Sequence, residues 1–313
     1  MARADTSASN SSLHAAKAAK NDEFYTQISD IEKELRHYKD HLKGKVVFCN
    51  CDDPEWSNFW LHFTLKFEDY GLAKVVATHY AHGEASYKLE FTGKDKPVIR
   101  TPLQGDGDFR SAECVEILKN ADIVVTNPPF SLFREYLAQL IEHQKQFLII
   151  GNHNAVTYKE VFPLIKSNLV WLGVSPRSMT FKQPDGSEKD VNACWFTNLS
   201  HDRRKTEILL YRKYEGNEGA YPKYDNYDAI EVARVAEIPA GYEGVMGVPI
   251  TFLEKHNPKQ FEIVWQASGN TRASAPKDVL VFLKYEKNKE DRGGCTVING
   301  KRTYGRILIR YIG

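Results

Sequence analysis

The chain of 313 residues reads as an α/β protein: a mostly parallel sheet up to about residue 170, then a smaller unit of different texture after residue 200. Short β-branched runs such as Val46-Val47-Phe48-Cys49 and Ile123-Val124-Val125-Thr126 alternate with stretches of helical periodicity. The second of these runs stops at Asn127-Pro128-Pro129, where consecutive prolines supply no N–H for a ladder, and passes into an amphipathic stretch. Beyond residue 200 the periodicity gives way to Tyr-, Gly- and Pro-rich turns.

Taken in order, residues 1 to about 20 are rich in Ala, Ser and Lys and read as a mobile arm. Ser29-Asp30-Ile31-Glu32 has capping-box spacing and opens a helix with Ile31, Leu35, Tyr38 and Leu42 on one face and Gly44 as its stop. Residues 45–51 form a strand. Asp53 as cap, with Pro54 in the first turn, starts the next helix; Trp56, Phe59, Trp60, Phe63 and Phe67 give it an aromatic core face. Residues 74–80 are a second strand, 89–92 with 98–100 a hairpin, and 105–110 a turn. Ser111 starts a helix through Val115 and Leu118. After the central strand, Ser131 caps a helix carrying Leu132, Phe133, Tyr136, Leu137, Leu140 and Ile141. Residues 146–151 are a buried strand and 158–165 are helical. Two further strands, 169–174 and 192–197, flank a polar loop holding Met179, Phe181 and Pro184; if antiparallel they add a hairpin at one edge. Residues 307–312 end the chain as a strand. The expected division is an arm at 1–20, one domain at 21–200 and a second region at 201–313.

Composition narrows the class. With 42% hydrophobic and 27% charged residues the chain fits a soluble globular protein, and it has neither a membrane-length apolar run nor a signal peptide's hydrophobic region. Five scattered cysteines show no zinc-type pairing with Cys or His, so no metal site is expected and reduced thiols in a cytoplasm are the plain reading. Net charge is only +1, so any nucleic-acid affinity must be local. Residues 271–313 hold ten Lys/Arg against four acids, which suits a nucleic-acid surface and equally a solvated face.

The chemistry centres on Asn127-Pro128-Pro129-Phe130. In open α/β sheets ligands bind at the carboxyl ends of strands, where this tetrapeptide falls. An exocyclic amine conjugated to a ring is a poor nucleophile because its lone pair is delocalised. An Asn side-chain oxygen and a proline carbonyl can each accept one of its N–H bonds, drawing the nitrogen toward sp3, and the prolines preorganise the acceptors. The aromatic ring gives a base a face to stack on.

The chain resembles the EcoRI-type DNA adenine-N6 methyltransferases. The resemblance is carried by Asp-Glu-Phe-Tyr-Thr-Gln at 22–27, Cys-Asn-Cys-Asp-Asp-Pro at 49–54, Ser-Asn-Phe at 57–59 and Gly-Asp-Gly-Asp-Phe-Arg-Ser at 105–111. Asp-Ile-Val-Val-Thr-Asn-Pro-Pro-Phe-Ser-Leu-Phe at 122–133, Tyr-Pro-Lys-Tyr-Asp-Asn-Tyr-Asp-Ala-Ile at 221–230 and Gly-Val-Met-Gly-Val-Pro-Ile-Thr-Phe-Leu at 244–253 extend it. It implies a Rossmann-like S-adenosylmethionine-dependent methyltransferase sheet with a smaller, largely C-terminal target-recognition region. It also implies methyl transfer to the adenine amino group of double-stranded DNA, by a monomer in a bacterial or phage setting, and leaves room for a separately encoded cognate restriction endonuclease. Asn127, Pro128, Pro129 and Phe130 match the family's catalytic positions. Phe24, Tyr25 and Thr26 match the motif holding the cofactor's methionine end, and Asp108 with Phe109 matches the acidic motif at its adenine. Asn50, Cys51, Asp52 and Asp53 stand where such enzymes usually carry a Gly-x-Gly cofactor loop, a family variant here. Asp52 and Asp53 could take the methionine ammonium; Asp53 serves equally as a helix cap. No acid for the ribose hydroxyls follows the second strand, Glu84 being nearest. Phe181 is a candidate second stacking surface for the base, and equally a packing residue. Asp122 lies at the wrong end of its strand for a general base, and His153 reads as structural. Methylation of RNA adenine or of a protein glutamine amide, and a non-catalytic DNA-binding relative, stay open as alternatives.

Overall fold

The computed structural model describes residues 25–51, 53–81, 86–175, 177–182 and 187–313. The expected N-terminal arm, Phe24, Asp52, Glu84 and Pro184 lie outside the described residues. The chain divides into two compact units. The first comprises the described residues up to His153 together with Gly173–Leu199; the second comprises Asn154–Leu172 and Ser200–Gly313.

In the first unit, β1 (Tyr25–Thr26) precedes α1 (Ile28–Leu35) and α2 (Lys39–Leu42). Next come β2 (Val46–Cys49), α3 (Asn58–Leu65), α4 (Phe67–Tyr70), β3 (Lys74–Thr78), β4 (Tyr87–Phe91) and β5 (Ile99–Pro102). After α5 (Ala112–Lys119), β6 (Ile123–Thr126), α6 (Phe133–Glu142) and β7 (Gln146–Asn152), the unit closes with β8 (Met179–Lys182), β9 (Glu188–Val191) and β10 (Ala193–Thr197). The main sheet runs β5-β4-β3-β2-β6-β7-β10. Strands β3, β2, β6 and β7 are parallel; β4 pairs antiparallel with β3 and β5, and β10 antiparallel with β7. Strand β6 is buried at every position, as its unbroken apolar run requires.

Side-chain alternation splits the core between the two faces. Val47, Ile123, Val125, Leu148 and Ile150 join Ile31, Leu35, Phe59 and Phe63 from α1 and α3 in one cluster. On α6, Phe133 packs its ring 4.9 Å from that of Phe196 in β10. The chain leaves β2 for β3 on one side and returns to β6 on the other. The crevice at the carboxyl ends of β2 and β6 is therefore the topological switch point, where open α/β sheets take ligands.

Several local expectations are corrected. The Ser29 capping box does not form: α1 begins at Ile28 behind Gln27, which makes no side-chain cap. The helix after β2 is capped by Ser57, whose hydroxyl accepts from Phe59 N; Asp53, whose Oδ1 accepts from Glu55 N, caps only the turn at 54–56 that precedes it. Trp56 therefore precedes the helix and is 72% exposed rather than on its core face. Ser131 is no helix cap; residues Phe130–Leu132 form a 3-10 turn closed by Leu132 N donating to the Pro129 carbonyl. The helix expected at 158–165 shrinks to Phe162–Lys166, and the strand expected at 169–174 to Trp171–Leu172. The polar loop before residue 192 contains the antiparallel pair β8–β9, and β1 adds to β8 as a third strand.

The second unit carries α7 (Phe162–Lys166) and a four-stranded sheet of β11 (Ala229–Glu231), β12 (Val245–Val248), β13 (Phe261–Ala267) and β14 (Arg306–Tyr311), ordered β11-β12-β14-β13. Its core includes Ile230, Met246, Phe252, Ile263, Trp265 and Ile309. Arg306 and Glu231 pair within this sheet, each only 11% exposed, and the Tyr224 hydroxyl donates to the same carboxylate. Among the described residues no helix is long and apolar enough to cross a membrane.

Candidate active site

The switch-point crevice is held together by Asn50, which follows β2 and is 3% exposed. Its backbone carbonyl accepts the hydroxyl of Thr126, the last residue of β6, and its Oδ1 accepts the hydroxyl of Tyr136 in α6. Both donors are fully buried. One asparagine thus ties two strand ends to the helix that follows Asn127-Pro128-Pro129-Phe130. Burial holds the Tyr136 pKa well above the ordinary phenol value, so the hydroxyl stays a donor.

Asn127 is 7% exposed, Pro128 is buried, and Pro129 and Phe130 are half-buried, so the motif is part wall and part surface. Phe181 in β8 is fully buried and meets the Phe130 ring edge-on, centroids 6.2 Å apart and planes at 83°. In this conformation Phe181 backs Phe130 from within the core and presents no open face to a base.

Beside the motif is a small open cleft lined by Cys51, Tyr80, Gly107, Asp108, Phe109, Arg110, Pro129 and Leu132. Cys51, Asp108, Phe109 and Pro129, drawn from three separate stretches of sequence, meet there. Cys51 has φ 77°, the left-handed region that favours glycine, in the loop where a glycine turn is usual for such folds. Phe109 packs edge-on against Tyr136, centroids 5.0 Å apart. The Asp108 carboxylate accepts from Arg110 N at 2.8 Å, Nε at 2.9 Å and NH2 at 2.6 Å, and Arg110 also reaches Glu135 at 3.1 Å. The Arg110 hydrogen bonds hold the Asp108 carboxyl below its usual range.

Tyr25, Thr26, Asn50 and Asp53 do not line this cleft. Tyr25 and Thr26 form β1; Asn58 Nδ2 donates to the Thr26 carbonyl at 2.7 Å, and Thr26 Oγ1 is buried with no hydrogen-bond partner among the described residues. Asp53 belongs to a cluster that sequence reasoning misses. Its Oδ1 accepts from the Tyr87 hydroxyl at 3.0 Å and from Glu55 N at 2.9 Å, while Oδ2 lies 3.6 Å from His79 Nε2. The His79 ring stacks on Tyr87, and Arg100 covers Tyr87 at 3.6 Å. His79 Nδ1 is buried without a hydrogen-bond partner among the described residues. The only local hint of this cluster is an imidazole at the end of β3. Asp122 bonds Val46 N at 2.8 Å at the opposite, amino end of the sheet, and burial lowers the pKa of His153.

An apolar floor, an aromatic wall and adjoining charged groups suit a nucleoside-like ligand, and the buried Thr26 hydroxyl is a further polar atom in want of a partner. Comparison with known proteins agrees with this picture. The family model described as adenine-specific methyltransferase EcoRI matches residues 12–311. The chain is similar to the type II methyltransferase M.EcoRI of Escherichia coli, with 44% identity over 337 aligned positions covering 97% of each chain. It is likewise similar to M.MpnI of Mycoplasma pneumoniae, 42% identical over 94% of this chain and 96% of that one. M.MgeORF184P of Mycoplasma genitalium is 38% identical over 94% and 97%. No solved structure matches the chain. With the match running through both units, the chain belongs to the EcoRI family of adenine-specific methyltransferases.

Proposed function

We propose that the protein transfers a methyl group from S-adenosylmethionine to N6 of an adenine within a specific site in duplex DNA, as the modification arm of a type II restriction-modification system. The first unit then acts as a Rossmann-like catalytic domain and the second contributes target recognition. The observation that carries the reading is Asn127-Pro128-Pro129-Phe130 at the carboxyl end of β6, with Pro129 shared by the motif and the cleft lined by Cys51, Asp108 and Phe109.

S-adenosylmethionine supplies an electrophilic methyl on a sulfonium. Phe109 offers a wall for its adenine, the Asp108 side its polar edge, and Thr26 its methionine end, with Tyr25, Asn50, Cys51 and Asp53 shaping the surrounding loops. Unstacking the target adenine costs a few kcal/mol, roughly, and Phe130 offset-stacks on the extruded base. Asn127 Oδ1 and the Pro128 carbonyl each accept one N–H of the amino group and aim its lone pair. The proton is lost after transfer, when the nitrogen is acidic, so no dedicated base is needed; Asp122 lies at the far end of the strand.

Tritium transfer from labelled S-adenosylmethionine to duplex DNA, RNA and protein tests the reading. Wild type labels duplex DNA, and Asn127→Ala abolishes labelling while leaving the thermal melt in place. Near-normal turnover by the variant, or labelling confined to RNA or protein, defeats the assignment.

A further inference from the structure

We propose that the hairpin of Val297–Ile298 and Lys301–Arg302 in the second unit is a preformed DNA-contacting ribbon, with Lys301 and Arg302 bonding phosphates. The proposal rests on the duplex-DNA reading above and assigns that reading a contact surface.

The hairpin is tight. Val297 pairs with Arg302 and Ile298 with Lys301, leaving Asn299-Gly300 as a two-residue connection at φ 51° and 70°. Two successive positive φ values are those of a type I′ turn, whose twist matches the flanking strands. A two-stranded ribbon is narrow enough to enter the major groove.

The ribbon is held from below by the segment Tyr224-Asp225-Asn226-Tyr227. Asp225 accepts from the backbone N–H groups of Asn299 at 3.2 Å and Gly300 at 2.7 Å, and its own N–H donates to the Val297 carbonyl at 2.8 Å. Asn226 Oδ1 accepts from Val297 N, and its Nδ2 donates to the Cys295 carbonyl at 2.9 Å. Tyr227 donates to the Gly294 carbonyl at 2.5 Å. Thr303 N donates to the Thr296 carbonyl, and the two threonine hydroxyls bond each other. The aromatic, turn-rich stretch at 221–228 thus clamps a two-residue-wide hairpin that carries almost no core of its own.

Four basic residues of this segment are neutralised by partners: Arg272 by Asp291, Lys284 by Asp228, Arg306 by Glu231 and Arg310 by Glu262. Lys301 and Arg302, like Lys277, Lys287, Lys289 and Arg292, have no ion pair among the described residues; Lys301 and Arg302, both exposed, are the two carried on the clamped ribbon. Tyr304, 82% exposed, stands beside them. A rigid ribbon with two uncommitted cations complements a polyanion, and fixing the backbone beforehand lowers the entropy cost of contact.

The test is the salt dependence of binding to a short duplex, read by fluorescence anisotropy with full-length protein. Each phosphate contact contributes about 0.9 to the slope of log K against log salt, so Lys301→Ala/Arg302→Ala lowers the slope by about 2 and weakens binding on the order of 10- to 100-fold near about 0.1 M salt. S-adenosylmethionine binding, read by calorimetry, is unchanged. Asp225→Ala separates a positioned ribbon from a merely basic surface. Loss of an acid should tighten binding to a diffuse positive surface, whereas release of the turn weakens binding to a built one. An unchanged slope in the double variant, or tighter binding by Asp225→Ala, overturns the proposal while wild-type binding and methylation leave the duplex-DNA reading standing. Failure of wild type to bind any duplex instead removes that reading and the proposal with it.

Discussion

Tyr136→Phe deletes one oxygen from the interior and tests whether Asn50 is the latch between the fold and its crevice. The hydroxyl is fully buried and donates to Asn50 Oδ1, itself in a residue 3% exposed, so water cannot replace it. Leaving a buried acceptor without its donor costs about 1–3 kcal/mol. At roughly 2–4 °C per kcal/mol for a unit of this size, the expected fall in Tm is about 4–8 °C around a central value near 2 kcal/mol. Thr126→Val removes the second bond to the same asparagine, from its hydroxyl to the Asn50 carbonyl, at nearly constant volume. Because both donors hold one residue, losing the first loosens Asn50 and makes the second worth less. The double variant should then be less destabilised than the sum, by about 0.5 kcal/mol or more. Thermal or urea melts of the four proteins without cofactor measure this cycle. A Tm change under about 1 °C for Tyr136→Phe, or additivity within about 0.3 kcal/mol, refutes the latch.

Two further outcomes follow from the same geometry. Gly107→Ala would set a Cβ 1.9 Å from the His79 carbonyl oxygen at φ 81°, so the loop that lines the cleft must shift; cofactor affinity measured by calorimetry should drop at least about tenfold, and an unchanged affinity contradicts the assignment of that loop. Burial lowers the pKa of His62 in the first unit and His256 in the second, each to about 4, so both fold as neutral imidazoles. The unfolded chain binds their protons below about pH 6.5; stability is therefore full above that value and falls as pH drops toward about 4, by roughly 2 kcal/mol per histidine at pH 5. Urea midpoints that stay level between pH 7 and pH 5 would contradict this.

The central strands are legible because their signals are local. Ile123–Thr126 is a β-branched run stopped by prolines, and Ser111 caps its helix through an adjacent Cys114 N–H, as a neighbour-range rule expects. What escapes depends on partners far away in sequence. Asp53 reads as a helix cap, but it caps only a short turn at 54–56 while also bonding Tyr87 and facing His79, and the helix itself starts behind Ser57. Helical spacing puts Trp56 on a core face, yet that spacing does not apply to a residue before the helix begins. Strand β9 is almost wholly exposed, so it carries no hydrophobic alternation, and the pairing of Tyr25 with Lys182 leaves no trace in either segment. Asn127, Asp108 and Phe109 stand out by motif; that Asn50 joins two strand ends to α6 is invisible because an isolated asparagine says nothing about what it bonds.

The same latch explains how the crevice dispenses with the usual glycine. Glycine offers two things in such a loop, a free left-handed backbone and room for a ligand to approach. At Cys51 the backbone is left-handed at φ 77° despite its side chain, a conformation worth about 1–2 kcal/mol of strain in a residue with a Cβ. Glycine would relieve that strain but forfeit roughly 0.5–1 kcal/mol through its freer unfolded chain, so the two residues come out within about 1.5 kcal/mol of each other. That small difference persists because the preceding residue cannot relax: Asn50 is fixed through its carbonyl by Thr126 and through its side chain by Tyr136. Strain at a loop tip is tolerated where buried hydrogen bonds over-determine its base. The turn is therefore set by the strand ends and α6 rather than by conformational freedom, and the Cys51 side chain becomes part of the cleft wall instead of leaving a gap there.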